Sequence, residues 1–283
     1  MTAFADVTNT AAGSGRPAMG SFIRNQRCAG QADQVRVDVI ASAALAALHD
    51  VIRRHEVTYA EYEALKAWLI RVGEYGEWPL LLDLFIEHVV EEVVNADRRG
   101  AVGTVEGPFY VPGAPESAGE ATLSMREDEA GKPLLFQGAV TDLVGTPVGG
   151  ALVELWHADA DGYYSQFAPG IPRWNLRGAI RTGADGRYAF HTIEPAPYQI
   201  PAEGACGELI AAAGWHAWRP AHLHVKVSAP GKQRLTTQLY FDGGKYLHTD
   251  IAHAVKPELV VRPTPAASGE GVQVIYQFAL DPA

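Results

Sequence analysis

An α+β fold, with an N-terminal helical segment packed on an antiparallel β-sandwich, is predicted by three features of this 283-residue sequence. Apolar residues recur at helical spacing up to about residue 94, strand-like alternation replaces them after about residue 103, and Gly and Pro then punctuate the chain every few residues. Short alternating runs separated by turn residues suit a sandwich, because each strand has one face to bury. The expected division is a helical segment over 1–103 with a loose amino terminus, and a β-sandwich over 104–283.

Residues 1–34 are rich in Ala, Gly, Ser, Thr and Asn without a sustained period, and are expected to be loosely ordered or laid along another subunit. Val37, Ala41, Ala44, Leu45, Leu48 and Ile52 then make one helical stripe. Thr58 followed by Glu61 is a capping box that opens a second helix carrying Tyr62, Leu65, Leu69 and Val72. Pro79 suits the first turn of a third, with Leu82, Phe85, Val89 and Val93 as its stripe. Three helices are too few for a deep core of their own, so they should pack on a sheet or on another subunit. Strands are expected at 134–140, 151–156, 187–191, 223–227, 236–241 and 272–280, with turns at 142–145 and 184–186 between some of them.

With 47% hydrophobic residues the chain has ample core material. A net charge of −10 and no basic cluster longer than Arg98-Arg99 argue against nucleic acid or an anionic membrane as partner, and leave a small molecule. Cys28 and Cys206 are too few and too far apart for a disulfide framework or a thiolate zinc site, which fits a reducing compartment. The first 30 residues hold no continuous apolar stretch of the secretory kind, and the run Trp78–Val94 carries Asp83, Glu87, His88, Glu91 and Glu92, which no membrane span would. A soluble cytoplasmic protein is the expectation.

The segment 219–227, Arg-Pro-Ala-His-Leu-His-Val-Lys-Val, carries the chemistry. A two-residue period puts His222 and His224 on one face of a strand while Leu223, Val225 and Val227 face the core. Two imidazoles so placed can grip one metal ion, although the same spacing alone more often marks two hydrogen-bonded histidines. Three further segments are unusually aromatic or polar: 156–165 with Tyr163 and Tyr164, 195–201 with Tyr198, and 235–238 with Gln238.

With these segments and Gly107 to Pro115, the chain over roughly 36–283 resembles the intradiol ring-cleaving dioxygenases, on the catechol 1,2-dioxygenase branch. The resemblance implies a non-haem Fe(III) held by Tyr164, Tyr198, His222 and His224. Phenolate is a hard anionic donor suited to ferric iron, whereas two histidines and one carboxylate suit ferrous oxygenases. It also implies cleavage of an ortho-diphenol with O2 between its hydroxyl-bearing carbons to a cis,cis-muconate-type diacid. Tyr164 is then the axial ligand that leaves and takes a substrate proton, and Tyr198 stays bound; Arg219 stabilises developing negative charge, assisted by Gln238. By the same resemblance Leu80, Asp83 and Leu84, one helical face, line the substrate pocket with Val105, Gly107, Phe109 and Ala254. The expected assembly is a homodimer through the N-terminal helices, with a phospholipid between them.

Catechol is the substrate expected first. Hydroxyquinol follows, because Asp83 can accept a hydrogen bond from a third ring hydroxyl, and then chlorocatechols. Asp83 on a solvated helix face remains open. Ala168-Pro169 after Phe167, and Gly183, replace acids common in that family and bear on loop geometry. His157 and Cys206 read as structural, Tyr163 as packed, and His191, His216, His248 and His253 as surface residues or as residues standing just behind the ligands. Two other classes remain: a transthyretin-like binding module, which leaves the Tyr, Tyr, His, His set unexplained, and a zinc hydrolase, which lacks a third neutral or carboxylate ligand.

Overall fold

The computed structural model describes residues 33–283. The expected loose amino terminus and Cys28 fall almost wholly outside that range. Four helices come first: α1 (Gln34–Arg54), α2 (Tyr59–Glu74), α3 (Trp78–Phe85) and α4 (Glu87–Val94). The Thr58 capping box forms as expected, its hydroxyl accepting the Glu61 N–H while the Glu61 carboxylate accepts the Thr58 N–H at 2.8 Å. Pro79 sits in the first turn of α3. What the period predicted as one third helix is broken at Ile86, and the face it buries is Leu80 and Leu84; Leu82, Val89 and Val93 stay exposed.

Strands follow in the order β1 (Glu116–Ala118), β2 (Glu120–Thr122), β3 (Pro133–Asp142), β4 (Leu152–Trp156), β5 (Arg177–Arg181), β6 (Arg187–Ile193) and β7 (Tyr198–Gln199). After the short helix α5 (Ala205–Ala212) come β8 (Trp218–Arg219), β9 (His222–Ser228), β10 (Leu235–Phe241), β11 (Val260–Val261), β12 (Thr264–Pro265) and β13 (Val272–Leu280). One sheet runs β1-β5-β4-β9-β10-β11, the other β12-β13-β3-β6-β2, and β7-β8 is a separate pair. The sandwich is as predicted, but its sheets are mixed: β5-β4-β9-β10 are antiparallel neighbours, whereas β1-β5, β10-β11, β2-β6 and β13-β3 pair in parallel. Parallel neighbours need a crossover, so residues distant in sequence must meet.

The core fills the space between the sheets. Val153 and Leu155 of β4, Leu223, Val225 and Val227 of β9 and Leu239 of β10 meet Phe136 of β3, Phe190 of β6 and Phe278 of β13. Every second residue of these strands therefore points the other way. That outer face of the larger sheet carries Trp156, His222, His224 and Gln238, and it too is buried. Among the described residues no helix is long and apolar enough to cross a membrane.

Candidate active site

Register brings the outer-face residues abreast. Trp156 pairs with His224 across β4-β9, and His224 with Gln238 across β9-β10. The Trp156 and His224 rings stack at 4.8 Å, which orients a ring whose Nδ1 is buried without a hydrogen-bond partner. Tyr198 on β7 pairs with Arg219 on β8, so these two also arrive together. Tyr164 comes from the loop between β4 and β5. Arg177 of β5 pins that loop by donating to Ser165 Oγ at 2.7 Å and ties it to the 105–110 segment by donating to Phe109 O at 2.8 Å. Phe109 then stacks flat on Tyr164, with centroids 4.3 Å apart.

Three segments thus deliver two phenols and two imidazoles to one place. His222 Nε2 stands 3.0 Å from His224 Nε2, which stands 3.1 Å from Tyr164 Oη. Tyr198 joins through its hydroxyl contact with Tyr164. His222 Nδ1 lies 2.7 Å from Pro220 O; a carbonyl only accepts, so Nδ1 carries the proton and Nε2 offers its lone pair to the shared point. Burial, then Arg219, pushes the His222 imidazole down to about 3. Burial and the His222 ring hold His224 well below the usual histidine range. Both rings are therefore neutral at pH 7, the form a metal ligand requires.

Burial pushes both phenols up, so their ionisation has to be driven by positive charge at the same point. Among the described residues no three His, Cys, Asp or Glu gather as a metal site, so a metal held here needs the tyrosines. Two oxygen and two nitrogen donors without thiolate fit ferric iron and leave a zinc hydrolase without its third ligand.

Arg219 lies beside this cluster, its Nη1 3.3 Å from His222 Nε2. Gln238 meets Arg219: its Oε1 accepts from Arg219 Nη2 at 2.9 Å and from Tyr240 Oη at 2.7 Å, while its Nε2 donates to Val105 O at 2.8 Å. The Gln238 side chain is thus committed to fixing its neighbours.

Of the pocket residues expected from sequence, Leu84, Val105, Phe109 and Ala254 share one buried cluster with Tyr164 and Tyr198. Gly107, at φ +70, would bring a Cβ to 3.7 Å from His224 Cε1, so conformation more than space calls for glycine there. Leu80 is buried on the same helix but outside that cluster. Asp83 is half-buried, and burial, then Glu87 and Glu106, raises its carboxyl to about 7. A cavity of about 760 Å³ opens on the tyrosines, and of the expected pocket residues only Phe109 lines it. Its walls include Phe167, Ile200, Pro201 and Trp218, which the sequence reading passed over although each lies within three residues of Tyr164, Tyr198 or Arg219.

His157 is structural, with Nδ1 on Ala158 O and Nε2 on Thr192 Oγ1, both at 2.7 Å. Cys206 is a buried free thiol. Tyr163, expected to pack, is exposed at the cavity mouth. His191, His216, His248 and His253 are all exposed.

The chain matches the family described as "Dioxygenase" over residues 105–282 and "Catechol dioxygenase N terminus" over 34–102. It is 46% identical over 217 residues to a chlorocatechol 1,2-dioxygenase of Rhodococcus opacus, covering 76% of this chain and 84% of that protein. It is 36% identical over 249 residues to catechol 1,2-dioxygenase 1 of Acinetobacter lwoffii, covering 85% and 80% respectively. The crystal structure of 3-chlorocatechol 1,2-dioxygenase from Rhodococcus opacus superposes with a TM-score of 0.84 at 44% identity, covering 89% of this chain and 100% of that one.

Proposed function

Because the chain belongs to the intradiol catechol dioxygenase family, as an iron-dependent 1,2-dioxygenase of catechols, we propose that its preferred substrate is a chlorinated catechol, with catechol second. The observation that carries this order is the identity of 46% with a chlorocatechol enzyme against 36% with a catechol enzyme. It displaces the sequence-based preference for unsubstituted catechol. The apolar cluster around the tyrosines, with Leu84, Val105, Ile200 and Ala254, supports it, since chlorine adds apolar surface to the ring. Hydroxyquinol comes after these two, on the reading that Asp83, half-buried one residue before Leu84 of that cluster, meets a third hydroxyl.

Tyr164, Tyr198, His222 and His224 are the proposed holders of ferric iron. When bound, the iron supplies a Lewis-acid centre for both catechol oxygens and makes the ring reactive toward O2. The chain's own residues do the rest. Tyr164 Oη is the proposed acceptor of a substrate proton, and Tyr198, on a paired strand rather than a loop, remains in place. Arg219, kept charged despite burial, faces the centre and stabilises negative charge building on the ring, with Gln238 and Tyr240 holding its Nη2. Phe109 stacks on Tyr164 and meets Phe167 edge-on, giving the Tyr164 ring an apolar neighbour.

The exposed apolar faces of α1 and α4 support a homodimer through the helical segment 1–103, with 104–283 as the catalytic unit; a phospholipid between the helices and a cytoplasmic location complete the reading. Anaerobic titration of the iron-loaded protein with 3-chlorocatechol, catechol and hydroxyquinol, then turnover with O2, tests the substrate order. A kcat/KM for catechol above that for 3-chlorocatechol overturns it.

A further inference from the structure

Resting on the reading that Arg219 stabilises charge on the ring, we propose that Asp250 is the positioning residue of the reaction, aiming Arg219 and anchoring, with one carboxylate, the 252–254 segment packed in the apolar cluster around the tyrosines. Asp250 lies on the segment after β10, with its side chain 2% exposed. Arg219 Nε donates to Oδ1 and Nη2 to Oδ2, each at 3.0 Å. A bidentate carboxylate fixes the plane of a guanidinium as well as its position. With the Nε–Nη2 edge so held, and Nη2 also bonded to Gln238 and Tyr240, Nη1 is turned toward His222.

The Asp250 rotamer is itself fixed from the backbone. Oδ1 accepts the Ala252 N–H at 3.2 Å and Oδ2 the Ala254 N–H at 3.3 Å. Thr104 Oγ1 donates to Ala254 O at 2.8 Å, and Ala254 packs in the cluster containing Tyr164 and Tyr198. The orientation of the buried cation and the placement of this segment therefore share one anchor. A buried ion pair is by itself weak evidence for stability, and apolar residues often replace one without loss. What singles this pair out is that each oxygen serves both a guanidinium N–H and a backbone N–H of the segment packed against the tyrosines.

Asp250→Asn tests it. An amide NH2 in place of either oxygen faces two N–H donors, so Arg219 or the 252–254 segment must shift. Displacing a reacting group by about 1 Å costs on the order of 10²-fold, and we expect a kcat loss of that size with KM for 3-chlorocatechol changed no more than about 3-fold. Iron content and the visible spectrum of the resting enzyme should match the wild type, because none of the four proposed ligands is altered. Loss of iron in Asp250→Asn overturns the proposal, since Asp250 would then be supporting the ligands. Added to Arg219→Lys, Asp250→Asn should cost less than about 3-fold more in kcat, because both act through one group; multiplied losses overturn the proposal. Asp250→Glu keeps the charge but moves it by one methylene, and should lose at least about 10-fold in kcat with little change in thermal midpoint; it decides the matter if Asp250→Asn does not fold. A coloured, active wild type whose Asp250 variants turn over normally sinks this proposal alone, whereas a colourless, iron-free but active wild type sinks the reading beneath it.

Discussion

The sandwich and the helical third answer the same kind of sequence pattern in opposite ways. In β9, β10 and β13, alternation predicts which side chains enter the core between the sheets, and Leu223, Leu239 and Phe278 are fully enclosed there. In α1 the predicted stripe is equally regular, yet the helix has no buried residue, and Leu45 and Leu48 are 55% and 57% exposed. Periodicity identifies a face that seeks cover and says nothing about what covers it. The sandwich finds its partner within the chain, whereas the apolar surface of α1 and α4 stays exposed among the described residues.

Strand β9 makes the sharpest test, because chemistry and stability lie on opposite faces of consecutive residues. His224→Ala or His222→Ala should abolish iron binding, colour and turnover, while far-ultraviolet circular dichroism stays native because Leu223, Val225 and Val227 still fill the core. Elemental analysis decides; full iron occupancy in either variant means the wrong histidines were chosen. Leu223→Ala, one residue away, should do the reverse: iron binds, but stability falls by about 2–5 kcal/mol. The same truncation at Leu48 on α1 should leave the folding of the subunit within about 0.5 kcal/mol and weaken self-association instead. Equal destabilisation by Leu48→Ala and Leu223→Ala, with no change of mass in solution, would erase the contrast between the two regions.

The same contrast explains what was legible in the sequence. The long strands, the Thr58 cap and the two faces of β9 follow from spacing over a few residues. Strands β1 and β2 did not: each is three residues long and mostly exposed, so neither shows an alternation, and each is fixed by parallel pairing with a strand about 60 or more residues away. Helix α5 lacks a side-chain cap of its own, because its Cys206 N–H is met by Glu77 from 129 residues earlier. In the candidate site, Tyr164, Tyr198, His222 and His224 are singled out only by ordered motifs in a family resemblance, since singly each is an ordinary residue. Asp250 carries no local signal; its meaning lies in an ion pair 31 residues away.

Tyr164 and Tyr198 extend the comparison from face to element, one proposed ligand on a loop and the other on a paired strand. Tyr164→Phe should retain iron through the other three donors and lower turnover by roughly 10- to 100-fold, mainly through slower substrate binding, because a proton acceptor is lost. Its resting spectrum should change, while its anaerobic substrate complex should look nearly native. Tyr198→Phe should alter both spectra. Identical substrate-complex spectra in the two variants would require the roles to be exchanged or abandoned.

The smallest expected effect lies at Asp83, where the helical third meets the site. Its carboxyl is raised from 3.8 to about 7 by burial and by Glu87 and Glu106, so the folded protein prefers the neutral acid. The sign follows from linkage: the stabilisation is complete below the unfolded value and is lost as pH rises toward 7, because the unfolded chain ionises first and binds fewer protons. Asp83→Asn keeps the shape and cannot ionise, so it should flatten this part of the stability profile. Because the group is only half-buried, the gain over wild type near pH 8 should be no more than roughly 1 kcal/mol, or about 2–4 °C in thermal midpoint. The same substitution should lower hydroxyquinol turnover relative to catechol, as a site built to bond a third hydroxyl discriminates against rings lacking one. Thermal melts at pH 5 and pH 8, with competition kinetics on the two substrates, separate the outcomes. A profile parallel to wild type together with an unchanged substrate ratio would return Asp83 to the solvated face of α3.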